Sequence, residues 1–235
     1  MLSLTMMAKS KQKIAGFFLD LDGTLIKAPE EDFFETLLDL GMEYPLEHVF
    51  SAYMEARVWY RSSSHPYNTG EELWRGFADQ VLIRLGIKDY PPDFLKKIRE
   101  GMDRREEQRL YPETLPFLDF LKGKGVYLGI ISSRPLEGVE EKLKKFKLAH
   151  FFSLVLGRES VKEIKPSPLP FLLALKQSGL EADKVRFAGD SPEEDLKGGL
   201  SAGIVTYLVD RRGRFPHEPH VVRNLFEILE KEGLK

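Results

Sequence analysis

The sequence predicts an α/β chain: a doubly wound parallel sheet with an all-helical second domain inserted after its first strand. Three observations carry that expectation. Short, almost continuously apolar runs alternate with segments of helical period through the second half of the chain. Between the first of those runs and the second, Glu31 to Arg109 offers helical patterns and no strand. Polar and acidic residues gather where the apolar runs end, which is where ligands bind in an open parallel sheet.

Lys13 to Asp20 is too short and too evenly apolar for an amphipathic helix, so it reads as a buried strand. In the insert, Phe33, Leu37, Leu38 and Leu40 line one helix face. Leu46, Val49, Phe50, Tyr53, Met54, Arg57 and Val58 continue at helical spacing. "TGEE" starts the next helix, with Thr69 as its cap and Glu72 at the reciprocal capping-box position, and its face is Leu73, Phe77, Val81 and Leu85. "YPPDF", Tyr90 to Phe94, opens another, its prolines standing where a first turn needs no N–H. Strands then follow at Val126 to Ser132, Phe152 to Gly157, Val185 to Asp190 and Ile204 to Asp210, with helices such as Leu136 to Phe146 and Leu169 to Ser178 between them. The expected organisation is a core of residues 1–26 and 111–235 around a helical domain of 27–110. Its hinges fall near Ile26 to Glu30 and Leu110 to Thr114.

Composition limits the partners. The 235 residues are 42% hydrophobic and 31% charged with a formal net charge of -2, an ordinary globular balance that gives no electrostatic reason to expect nucleic acid or an anionic membrane. Either a monomer or a homodimer fits it. The absence of cysteine excludes disulfides, thiolate metal sites and a cysteine nucleophile, and suits a reducing cytoplasm. "MLSLTMMAKSKQK" has its lysines after a short apolar patch, the reverse of a signal peptide, and reads as an untargeted, frayed end. No apolar run approaches the roughly 20 residues of a membrane span.

The acids sit at the strand ends. The first strand delivers Asp20 and Asp22, and the second delivers Ser132 and Ser133. The fourth delivers Asp190 and Ser191 with Asp195 after them, and Lys165 lies in the "EIKPSP" loop. Carboxylates and a lysine crowded at one rim are costly to bury without a cation, and oxygen-rich sites of this sort suit Mg²⁺. The two-residue spacing of Asp20 and Asp22 sends both side chains to one side of an extended chain, while Gly23 permits a sharp turn.

These motifs make the chain resemble the haloacid dehalogenase superfamily hydrolases, of the phosphoglycolate phosphatase-like branch with a helical cap after the first motif. "DLDGT" matches the first motif, "IISS" the second, the Lys165 loop the third and "GDSPEED" the fourth, from about Lys13 to Asp210. The resemblance implies a Rossmann-like core, a small phosphorylated metabolite as substrate and Mg²⁺ as cofactor. It implies that Asp20 is the nucleophile, that Asp22 is the general acid and base, and that Ser132 and Lys165 hold the phosphoryl group. Asp20, the Asp22 backbone carbonyl and Asp190 would bind the metal, with Asp195 a further acid of that site. Many relatives end the second motif with Asn where this chain has Ser133, whose hydroxyl and N–H can still serve a phosphate. Dehalogenating members usually lack the second acid of the first motif, so Asp22 favours phosphate esters over carbon–halogen bonds.

Other readings stay open beside hydrolysis. A phosphoglucomutase-like phosphotransferase would use the same motifs, and a receiver-like signalling module also combines acids, a hydroxyl and a lysine. "HEPH", His217 to His220, reads as a solvated turn because Pro219 breaks the helix that would align its imidazoles, and "RRGR", Arg211 to Arg214, reads as a solvated loop. Trp59 and Trp74 read as packing. Within the cap, "EARVWYRSSSHPYNTG" offers Arg57, Tyr60, Arg61 and His65 as candidates for a substrate carboxylate or hydroxyls.

Overall fold

The computed structural model describes residues 13–62, 70–105, 110–218 and 220–235, without the side chains of residues 61, 62 and 70. The N-terminal dozen residues and the Thr69 cap therefore lie outside the described residues. The chain divides into two compact units, one running to Ile26 and resuming at Leu110, the other Lys27–Arg109.

The first unit is built on strands β1 (Gly16–Leu19), β2 (Tyr127–Ile131), β3 (Leu154–Leu156), β4 (Val185–Gly189), β5 (Val205–Val209) and β6 (Val221–Val222). They form one sheet in the order β3-β2-β1-β4-β5-β6, and all neighbours run parallel. That is the doubly wound α/β fold read from the sequence, with one strand more. Val221–Val222 is an edge strand of two residues, too short to show any period.

The residues of β1 are all buried, as a central parallel strand requires. Phe17 packs edge-on against Phe117 on one face, with ring centroids 5.4 Å apart, in a cluster with Leu19, Leu121, Leu128, Ile130 and Val139. Phe18 faces the other way into a cluster with Ile131, Phe171, Phe187 and Ile204. Parallel strands need crossovers, and α5 (Thr114–Gly123), α6 (Leu136–Lys145), α7 (Leu169–Ser178) and α8 (Lys197–Ser201) supply them, with α9 (Leu225–Lys231) closing the chain. β1 pairs with both β2 and β4, so the direction of winding reverses at its carboxyl end. The crevice of a doubly wound sheet lies at such a reversal.

The second unit holds α1 (Pro29–Asp39), α2 (Leu46–Ser62), α3 (Gly70–Arg84) and α4 (Phe94–Arg105), and no strand among its described residues. Phe33, Leu37, Val49, Tyr53, Val81, Leu82, Ile98 and Met102 form its apolar centre. Two helix faces differ from expectation. Leu38, Met54 and Val58 are exposed, because Val49, Ala52, Tyr53 and Ala56 set the buried stripe of α2 and alanines carry little hydrophobic signal. Trp74 packs beside the apolar centre with the Arg99 guanidinium 5.2 Å over its ring.

Candidate active site

The chain leaves β1 at Asp20, whose N–H donates to the Ala188 carbonyl at 2.9 Å, so the first acid is still registered against β4. Gly23 then takes φ of +81°, and its N–H closes a tight loop on the Ile26 carbonyl at 2.6 Å. A side chain there is excluded twice over. The backbone angle disfavours it, and a Cβ would stand 2.2 Å from Asp190 Oδ2. The loop of the first motif thus packs its backbone directly on an acid of β4's end.

Asp190 follows β4, and residues Pro192–Leu196 then form one wide, π-helical turn. Ser191 caps it, accepting the Glu194 N–H at 3.1 Å, and the Ser191 N–H donates to Asp195 Oδ2 at 3.1 Å. The turn brings Asp195 back over β4, where a Cβ on Gly189 would meet its carboxyl carbon at 2.2 Å. Asp20, Asp190 and Asp195 offer oxygens that all lie within 4.8 Å of one another. Lys165, almost wholly buried, donates 2.6 Å bonds to Asp20 Oδ1 and to Asp195 Oδ1.

Burial is the largest influence on Asp20 and pushes its carboxyl up to about 7, Lys165 working against that and Asp195 with it. Burial also opposes the charge on Lys165, but the two carboxylates outweigh it and hold the ammonium protonated well above its ordinary range. Asp22 has a different setting. Lys142 reaches its Oδ1 at 2.6 Å and Arg134 its Oδ2 at 2.8 Å, across 120 and 112 residues of chain. Burial raises Asp22, yet Lys142 and Arg134 more than cancel it and bring the carboxyl down to about 2.

Ser132 and Ser133 follow β2, with Ser132 N–H on the Leu156 carbonyl at 3.0 Å and its Oγ accepting the Arg134 N–H at 3.2 Å. Ser133 Oγ donates to Glu194 Oε2 at 3.0 Å, and its carbonyl accepts from Arg158 Nε at 3.2 Å. The structure therefore brings Asp20, Lys165, Asp190 and Asp195 together and sets the Asp22 carboxylate beside two cations. In the helical unit, Tyr60 stands edge-on to Phe77 at 6.2 Å and Arg57 Nη1 lies 3.5 Å from Met54 Sδ. His65 and the Arg61 side chain lie outside the described residues.

Sequence reasoning passed over Lys142, Arg134 and Glu194 and misread Arg211. The "RRGR" expectation fails at its first residue. Arg211 is not a solvated loop side chain but is mostly buried, bonded to the Gly23 and Thr24 carbonyls at 2.8 Å and to Glu113. Nothing in a basic surface-like run signals that. His220, with φ of +56°, sets its Nδ1 3.1 Å from the Thr206 carbonyl, in keeping with a turn.

The chain is similar to proteins named as phosphatases. It is 30% identical to a phosphoserine phosphatase of Thermus thermophilus, over 92% of this chain and 98% of that one. It is 38% identical to a phosphoglycolate phosphatase of Haemophilus influenzae, over 81% of this chain and 82% of the relative. The crystal structure of a HAD phosphatase from Thermococcus onnurineus shares the fold, with a TM-score of 0.62 at 24% identity over 93% of this chain and 97% of that one. The model of the haloacid dehalogenase-like hydrolase family matches residues 18–209, from β1 through the insert to the end of β5, and the chain belongs to that family.

Proposed function

We propose that the protein is a Mg²⁺-dependent phosphatase that hydrolyses a small-metabolite phosphate monoester through an aspartyl phosphate on Asp20. The observation that carries this reading is the cluster of Asp20, Asp190 and Asp195 within 4.8 Å, with the buried Lys165 ammonium bridging Asp20 and Asp195. Carboxylates gathered this closely repel one another, and their hard oxygen donors fit a divalent cation. When bound, the ion supplies positive charge that lets a phosphate dianion approach these acids. The phosphatase names of the relatives, and the presence of Asp22, support ester hydrolysis.

Asp20 attacks phosphorus while the bond from phosphorus to the ester oxygen breaks, and the departing alkoxide takes a proton from Asp22. Water then attacks the same phosphorus, Asp22 recovers the proton, and the Asp20 carboxylate is released together with inorganic phosphate. Lys165, Ser132 and Ser133 hold the phosphoryl oxygens by hydrogen bonds. Asp22 paired with Lys142 and Arg134 is ionised, which is the form that accepts a proton from water. Donating one first requires the pair to open and the carboxylate to take up a proton from solvent. Arg134, about a third exposed, has more freedom to leave than Lys142, which is 12% exposed.

Phosphorylated small acids are the class to test first, because the relatives are named for phosphoserine and phosphoglycolate. Phosphate release from a panel of phosphorylated metabolites with Mg²⁺ tests the reading. Transfer of the phosphoryl group to a sugar in place of water would favour the phosphotransferase alternative. Full turnover of p-nitrophenyl phosphate after exhaustive chelation would overturn the metal site.

A further inference from the structure

The loop that carries the acids of β1 does not hold its shape alone. It belongs to the outgoing connection to the helical unit, and the returning connection lies beside it. Ile26 and Leu110 form an antiparallel bridge, Tyr111 N–H donates to the Leu25 carbonyl at 3.3 Å, and Thr114 Oγ1 donates to the same carbonyl at 2.7 Å. Arg211, the second residue after β5, reaches across both. Its Nη1 donates to the Gly23 carbonyl and its Nη2 to the Thr24 carbonyl, each at 2.8 Å. Its Nε and Nη2 meet Glu113 Oε1 at 3.1 and 2.7 Å, and its guanidinium carbon lies 3.4 Å from the Tyr111 ring centroid. Both charges are largely withdrawn from water, at 17% and 12% side-chain exposure, which strengthens the pair.

We propose that Arg211 is a positioning residue for the reaction: it clamps the outgoing and returning connections together and thereby aims the Asp20–Asp22 segment at the acids of β4. The path of the effect is short. Gly23, whose carbonyl Arg211 holds, directly follows Asp22 and has its α-carbon packed on the Asp190 carboxylate. A loop free to drift would shift Asp22 relative to Asp190. Lysine cannot replace the clamp, because a point charge on a flexible stem cannot bind two carbonyls and a carboxylate in one plane while stacking on a ring.

The kinetic arm rests on the phosphatase reading, and a second arm does not. Arg211→Met keeps the stem and removes the fork. Its kcat on p-nitrophenyl phosphate should fall by up to about 100-fold, the cost of a misplacement near 1 Å, with KM little changed. Arg211→Lys should recover only a small part, and millimolar guanidinium should restore activity to Arg211→Ala. Independently of turnover, hydrogen exchange at the Gly23 and Ile26 amides should quicken in Arg211→Met while β2 and β5 stay protected. Glu113→Gln, which leaves the arginine but removes its charged anchor, should show the same local pattern more weakly and serves if Arg211→Met fails to fold. Wild-type kcat with unchanged exchange in the loop overturns the proposal. So does exchange that quickens evenly across the whole sheet, since Arg211 would then only stabilise the fold. If the wild-type protein hydrolyses no phosphate ester, the function proposed above fails, and the exchange arm still decides the role of Arg211.

Discussion

The rim of the sheet unit and the apolar centre of the helical unit are built from opposite kinds of group. At the rim, Asp20, Lys165 and Asp195 are each less than 10% exposed, with Lys165 hydrogen-bonded to both acids. In the helical unit the centre is Phe33, Leu37, Val49, Val81, Leu82 and Ile98, ion pairs such as Lys96–Glu100 and Arg99–Asp103 stay on the outside, and the buried acids Glu30 and Asp32 lie in the first turn of α1. Apolar burial stabilises by roughly 25 cal/mol per Å². Each buried ion, by contrast, costs several kcal/mol before its partner repays it. Folding alone gives no reason to collect acids at the end of β1 and β4, whereas it fully accounts for the helical centre. Substitutions of the rim acids should therefore cost catalysis more than stability, and truncations in the helical centre the reverse.

The sharpest break would come at Asp20. Asp20→Asn keeps size and shape, removes the proposed nucleophile and relieves repulsion with Asp195, so turnover should fall by several orders of magnitude with an unchanged or higher melting temperature. Phosphate release and thermal denaturation on one preparation check both halves. Unfolding of this variant would show that the rim carries the fold, and the contrast would fail. Asp22→Asn should cost about 10²- to 10⁴-fold, the usual contribution of acid–base catalysis, and alkyl esters should suffer more than nitrophenyl ones, whose leaving group barely needs a proton.

Lys165 sharpens the contrast from the other side. Removing an acid relieves the cluster, but Lys165→Met strands Asp20 and Asp195 without their cation, and breaking a buried pair in this way costs about 3–5 kcal/mol. Added Mg²⁺ should return part of the loss, which a thermal-shift titration would show. A helical-centre truncation should cost as much for a different reason. Phe33→Ala removes a fully buried ring and leaves a cavity, a loss of about 3–5 kcal/mol, yet kcat per folded molecule should stay near wild type and Mg²⁺ should restore nothing.

The same contrast explains what could be read from the sequence. Strands such as Val185–Gly189 announce themselves by continuous apolar runs, because a strand covered on both faces has no polar side. The ends of those runs mark where polar groups collect, so the strand ends bearing Asp20 and Asp190 are visible without coordinates. The partners of those groups are not. Lys142 lies on the charged α6, in a sequence rich in lysine and glutamate, and nothing local distinguishes it from Lys144 or Lys145 until the fold places it on Asp22. Arg211 is hidden in the same way among neighbouring arginines. Met54 and Val58 mislead in the opposite sense, since helical spacing shows which residues share a face but not which face is buried.

The smallest expected effect tests the electrostatics around Asp22. Two influences oppose each other there: burial, which raises its pKa, and the cations Lys142 and Arg134, which bring it to about 2. Because the folded value lies below the ordinary carboxyl value near 3.9, this pairing stabilises the protein above that pH and is lost as pH falls towards about 2. Lys142→Met removes the larger of the two cationic influences and leaves burial in place, so the Asp22 pKa must rise. The acid limb of kcat/KM should then move to higher pH, the alkaline limb should stay where it is, and the stability lost in acid should begin to disappear at a higher pH than in wild type. Activity at neutral pH should change far less than in Asp22→Asn, because the carboxyl group itself remains. An acid limb that does not move would mean that Lys142 does not set the charge of Asp22 during turnover, and that the ion pair belongs to the resting enzyme alone.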